Sequence, residues 1–149
     1  MTETDLNLHA KLEEAFKAIL EASTDITARE LTVLTGLTAS DQVLPVVFFV
    51  CTGGPEEPYG SGNCMMEGEL TVKTRLSKTD PIANHNKNVG TVRKSILTSD
   101  LDSRLSAAVD DFTVHDQAVW CGQSQESVEG DLAVWTQHFK ILCCAADIS

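Results

Sequence analysis

Positive charge is scarce in this 149-residue sequence, where 11 Lys and Arg stand against 22 Asp and Glu for a formal net charge of −11. Non-specific nucleic-acid binding needs clustered bases to neutralise phosphates, and no run of the chain supplies them. Long apolar runs are missing as well. The longest, Val43 to Cys51, has the length of a strand, carries Pro45, and falls far short of the roughly 18 residues that cross a membrane. The N-terminal MTETDLNLHAKLEE lacks the cationic start and apolar core of a signal peptide, so a soluble protein made in the cytosol is expected. The five cysteines (Cys51, Cys64, Cys121, Cys143, Cys144) are an odd number with no CxxC and no short Cys/His ligand spacing. That excludes a disulfide framework or a zinc motif and predicts free, mostly buried thiols.

What is present is globular. At 42% hydrophobic and 22% charged, the composition suits one ordinary domain over residues 1–149, long enough to bury roughly 70% of the surface its unfolded form exposes. Leu8, Leu12, Phe16, Ile19 and Leu20 recur at helical spacing within residues 5–22, with Thr4 or Asp5 to cap the start and Ser23-Thr24-Asp25 to end it. Leu31 and Val33 suggest a short strand before Gly36. Leu44 to Cys51 is apolar on both faces and ends at Thr52-Gly53-Gly54, the pattern of a covered central strand with Pro45 at its start. Residues 52–63, TGGPEEPYGSGN, read as a projecting loop.

Period two follows. Met66, Gly68, Leu70, Val72, Thr74 and Leu76 fall on one face, and Glu67, Glu69, Thr71, Lys73 and Arg75 on the other, predicting a long, half-exposed antiparallel strand. From Asp80 to Thr98 the period becomes helical, with Ile82, His85, Val89, Val92 and Ile96 on one stripe and Asp80-Pro81 at the start. Gly90 lowers helix propensity there by roughly 1 kcal/mol relative to Ala, which signals close packing or a surface compromise. DLDSRLSAAV offers a second short helix. The rest is β: Phe112 to Trp120 alternates, the polar GQSQESVEGD can continue the strands into a long hairpin, and Leu132 to Cys144 is β-rich. The expected fold class is therefore α+β, one antiparallel sheet of about four to five strands with two main helices on one face and a protruding hairpin or loop.

Catalytic motifs are not found. The glycine cluster GSGNCM leads into a strand and carries no Lys, which fails the phosphate-loop context. There is no GxSxG elbow, HExxH or EF-hand pattern. His115 and His138 sit on candidate neighbouring strands near Cys143-Cys144, but adjacent strand residues point to opposite faces, so those two thiols do not readily share an ion. His85 reads as a packing histidine, and Met65, Met66, Trp120 and Trp135 as core or interface side chains. No enzyme, cofactor or metal is expected. What remains are a long strand with a charged outer face, a polar hairpin arm, and an acidic loop bearing Glu56, Glu57 and Tyr59, features that let a small domain join its neighbours.

The succession GNCMMEGELTVKTRLS, DPIANHNKNVGTVRKSIL, DLDSRL and FTVHDQAVWCGQSQESVEGDLAVWTQHFKILCCA resembles the tail terminator (tail completion, neck) proteins of tailed bacteriophages, with a match over roughly residues 26 to 146. The resemblance rests on a long alternating strand leading into a helix with a central His, here His85, and a closing hairpin whose last strand holds a W-x-T-like pattern, here Trp135-Thr136. It implies a virion protein of the neck, assembled in the host cytoplasm, without catalysis or membrane. Its subunits would form a homohexameric ring that closes the tail tube and joins it to the head-side connector or stopper protein. Ring closure requires one face to complement a different face of the next subunit. The exposed edges of the Met66 to Leu76 strand, with Glu67, Glu69, Lys73 and Arg75, and of the terminal hairpin are the candidates for that contact. The loop with Glu56, Glu57 and Tyr59 is the candidate for docking onto tube or connector. An acidic lumen would let DNA pass without specific binding, by repulsion screened beyond about 8 to 10 Å. The alternatives are a head-to-tail stopper or adaptor, and a small dimeric ligand-binding α+β domain.

Overall fold

A computed structural model describes residues 8–35, 45–53, 63–76, 81–110 and 112–144. Helix α1 (Leu8–Ala22) forms where the apolar stripe lies, and buries Leu8, Leu12, Ala15, Phe16, Ile19 and Leu20. Ser23 ends it, and also opens a short helix that the polar composition concealed, α2 (Thr24–Ala28), by accepting a hydrogen bond from the Ile26 amide on its Oγ. Strands β1 (Thr32–Thr35), β2 (Val46–Gly53) and β3 (Asn63–Arg75) follow, then helices α3 (Pro81–Ile96) and α4 (Leu101–Ala108), and the closing hairpin of β4 (Thr113–Glu129) and β5 (Leu132–Cys144).

The five strands make one sheet in the order β1-β2-β3-β5-β4. Its α+β class, with helices packed on one face, agrees with the sequence reading. The sheet is mixed, however: β1 pairs in parallel with β2, while every other neighbour is antiparallel. Alternation of apolar and polar residues reads the same in both chain directions, so it does not distinguish the two pairings.

The helix-covered face holds the core. The Phe16 and Phe49 rings stack with centroids 3.9 Å apart, and Phe139 meets Phe49 edge-on at 6.2 Å. Gly68 lies against this cluster on β3. A Cβ there would sit 2.3 Å from Phe49 Cζ and 2.9 Å from the Val50 carbonyl oxygen, so only glycine admits the ring. The hairpin closes through a two-residue Gly130-Asp131 turn, with Gly130 at φ +63 and Asp131 outside the positive-φ region, as in a type II′ turn.

Candidate assembly surface

Strand β3 distributes its side chains as the period of two requires. Cys64, Met66, Leu70, Val72 and Thr74 are buried on the helix side, and Glu67, Glu69, Lys73 and Arg75 share the opposite face. None of the described helices packs on that second face. Four candidate contact residues thus lie together, although not at an edge. β3 is interior, paired with β5 along its whole length and with β2 from Glu67 to Lys73, so its backbone is not available to a neighbouring chain. Each of three candidates already has a companion: His138 Nε2 is 3.4 Å from Glu67 Oε1, Lys73 Nζ lies 5.9 Å from the Phe48 ring centroid, and Arg75 Nη1 donates to Asp131 Oδ2 at 2.8 Å. Phe48, Val50, Met65 and Leu142 are half-buried on the same face and Val46, Thr71 and Val134 are buried there, giving it a mixed apolar and charged character.

Among the described strands the sheet's edges are β1, four residues long, and β4, seventeen residues long. Twelve consecutive residues, Trp120 to Asp131, are exposed, and the stretch from Phe112 to Phe139 contains no Lys, Arg or Pro. Two bulges interrupt the pairing of β4, one between Val114 and Val119 and one between Cys121 and Ser124. The first is clamped by Asp102, whose Oδ2 accepts the Gln117 amide at 2.8 Å and holds Gln117 at φ 56. Backbone amides of Gln117 and Ser103 keep this carboxyl below the usual range. The second is bridged by Gln137, whose Nε2 donates to the Gly122 carbonyl at 2.9 Å. Bulges break edge-to-edge pairing, so the longest regular stretch of this edge is Ser124 to Glu129. Trp120, 48% exposed, and Val128, 61% exposed, stand on this arm, whereas Trp135 is buried in the sheet beside it. The two tryptophans read alike in the sequence and separate in the structure.

A buried polar chain ties the arm to the helices. His85 Nδ1 lies 3.0 Å from Thr74 Oγ1, which accepts from Asn88 Nδ2 at 3.1 Å. Asn88 Oδ1 in turn accepts from Arg29 Nε at 2.9 Å, and Arg29 Nη2 reaches Asn84 Oδ1 at 2.6 Å. The other ring nitrogen, His85 Nε2, is buried and faces Glu126 Oε2 on β4 at 3.6 Å, beyond hydrogen-bond distance. Burial holds the His85 imidazole below its ordinary value, against the upward pull of Glu126. Thr74, His85 and Glu126 are a hydroxyl, an imidazole and a carboxylate in series, but Thr74 and His85 are each 1% exposed, so no substrate reaches the hydroxyl. His85 is a packing histidine, as its place on the apolar stripe predicted. Its partners Thr74, Asn88 and Arg29 were not anticipated; the sole sequence signal was Asn84, His85 and Asn88 one turn apart on a helix.

The five thiols are reduced. Burial pushes Cys143 up to about 12 and raises Cys51 and Cys121, the opposite of an activated nucleophile. Cys121 is exposed rather than buried, because its stretch of β4 lies on the arm. No group of three potential metal ligands occurs among the described residues. An open groove of about 520 Å³ between α1, α3 and α4 is lined by small side chains and by Arg104, whose Nη1 is already bonded to the Ser95 carbonyl and Thr98 Oγ1. Glu56, Glu57 and Tyr59, the candidate docking loop, lie outside the described residues.

No family model matches the sequence, and no curated protein matches it. Among solved structures, the fold is similar to a chain of the "Virion of native gene transfer agent (GTA) particle", with a TM-score of 0.61, 10% identity, and coverage of 95% of this chain and 100% of that one. At that identity the likeness establishes the shared fold.

Proposed function

We propose that this chain is a structural protein of a phage-like virion, acting as one domain. In this reading its subunits form a hexameric ring at the neck, which closes the tail tube and joins it to the head-side connector. The observation that carries the proposal is the surface just described. A small α+β domain leaves one sheet face free of described helices and extends a twelve-residue exposed arm along an edge of the described sheet, on a fold similar along 95% of this chain to a virion component. Among the described residues the His85–Thr74 pair is buried and the thiols of Cys51, Cys121 and Cys143 are pushed up by burial, which favours assembly over catalysis.

A heterologous ring needs two unlike surfaces on each subunit. The open face with Glu67, Glu69, Lys73 and Arg75, continuous with the β4 arm, serves as one of them. The loop bearing Glu56, Glu57 and Tyr59 contacts the tail tube or connector. Repetition of an acidic chain around a ring creates a negative lumen that repels DNA phosphates and lets the duplex pass.

Two measurements test the reading. Light scattering of the purified protein at low salt, with negative-stain imaging, is expected to give a closed ring of six copies. A monomer that binds a small molecule saturably would overturn it. Replacing Glu56, Glu57 and Tyr59 together by Ala is expected to leave the ring intact and abolish its joining to tubes; unchanged virion yield would remove the loop from the proposal.

A further inference from the structure

Helix α3 is the electrostatic exception in this acidic protein. Its sixteen residues, PIANHNKNVGTVRKSI, contain Lys87, Arg93 and Lys94 and no Asp or Glu. His85, Asn88, Val89, Val92 and Ile96 face inward, and the opposite side presents Ala83, Lys87, Gly90 and Lys94, all exposed, continued by Leu97 one turn on. These positions are spaced four, three, four and three apart, the spacing of a helix seam that contacts a partner. Gly90 is at its centre. A Cβ there would meet nothing within 4 Å among the described residues, so packing against them does not account for a glycine at a mid-helix position where alanine is better. A backbone approached closely from outside does account for it.

We infer that this face of α3 is the second half of the ring contact, and that it receives the β4 arm of the next copy. The inference rests on the ring reading and supplies the surface that reading lacks. Charge selects the occupant. From Phe112 to Phe139 the chain carries Asp116, Glu126, Glu129 and Asp131 and no Lys or Arg, so the arm is as one-sidedly acidic as α3 is basic. Glu126 and Val128 share one face of the strand, where Glu126 faces His85 of its own chain, while Ser127 and Glu129 share the other face, so Glu129 is the acid that meets Lys87 or Lys94. Helix face and arm are different surfaces of one subunit, which makes the contact head-to-tail, as ring closure requires.

The test uses the full chain and reads its mass by light scattering at 50 mM and 1 M NaCl, with circular dichroism to verify folding. Wild type is expected to form the ring at low salt and lose it at high salt, since exposed charge pairs are screened. Lys87→Glu with Lys94→Glu, and separately Ser127→Lys with Glu129→Lys, are each expected to be folded monomers. Mixing these two variants is expected to restore the ring, because each supplies the charge the other lacks. Gly90→Ala is expected to melt no lower than wild type and yet to assemble at least tenfold more weakly. A ring of unchanged mass and salt response in the Lys87→Glu, Lys94→Glu variant overturns this interface and leaves the ring reading standing. So does loss of duplex-DNA binding in that variant without loss of mass, which would make nucleic acid the occupant. A wild type that remains monomeric at both salt concentrations overturns interface and ring together.

Discussion

Gly68→Ala is the sharpest test of the sheet register on which the assembly surface depends. Register decides which residues of β3 meet the helices: with Gly68 under Phe49, Glu67 and Glu69 are directed to the open face, and a slip of one residue exchanges the two sets. An added methyl would lie 2.3 Å from Phe49 Cζ and 2.8 Å from Cε2, whereas carbon atoms settle at about 3.5 Å or more, so the ring must retreat by about 1.2 Å. It has nowhere to go. Phe49 is held between the stacked Phe16 and the edge of Phe139, and the Val50 carbonyl oxygen at 2.9 Å obstructs the methyl from the backbone side. Overpacking of a core typically costs about 1 to 3 kcal/mol, and a clash against both a clamped ring and backbone belongs at the upper end. For a chain of this size, about 3 kcal/mol lowers the melting temperature by roughly 6 to 12 °C. Thermal unfolding followed by circular dichroism measures the loss. Combining Gly68→Ala with Phe49→Leu should recover at least about 1 kcal/mol in a double-mutant cycle, because the obstructing atoms are removed. A single variant melting within 2 °C of wild type, or a cycle without coupling, refutes the register and the orientation of the open face with it.

Three further outcomes are expected. Phe16→Ala removes the ring stacked on Phe49 and should cost about 3 to 5 kcal/mol in urea denaturation; a loss below about 1 kcal/mol would mean that the aromatic cluster is not the centre of the core. Because burial depresses the His85 imidazole in the folded protein, the unfolded chain takes up the proton first, so stability should fall as pH drops below the ordinary value of 6.5, and His85→Gln should flatten that part of the profile. A wild-type profile that is flat between pH 7 and 5 contradicts the buried neutral imidazole. Trp120 is exposed and Trp135 buried, so iodide should quench only part of the tryptophan emission, and Trp120→Phe should leave a blue-shifted emission that iodide hardly touches.

Much of the fold was legible because each major element announces its own period. The stripe from Leu8 to Leu20, the alternation from Met66 to Leu76, and the turn into helical period at Pro81 identify α1, β3 and α3 by burial demand alone. The polar run GQSQESVEGD was readable as hairpin because Gly130-Asp131 suits a two-residue turn. α2 escaped notice because five residues are too few to show a period. The parallel pairing of β1 escaped because alternation has no direction. Of the assembly surface, the shared face of Glu67, Glu69, Lys73 and Arg75 was legible and the interior position of their strand was not, since strand order depends on contacts far apart in the chain.

The sequence by itself determined that this protein is acidic and without metal or phosphate-loop motifs, that its helices are amphipathic, and that one long strand is half apolar. These are properties of composition and local period, which burial imposes residue by residue. Only the tertiary structure decided that β4 and not β3 is an edge of the described sheet, that His85 is joined through Thr74 and Asn88 to Arg29, and that Gly90 faces outward between two lysines. Those outcomes come from side chains brought together across long separations in the chain, where the energy of the packed arrangement, and no local preference, selects the partner.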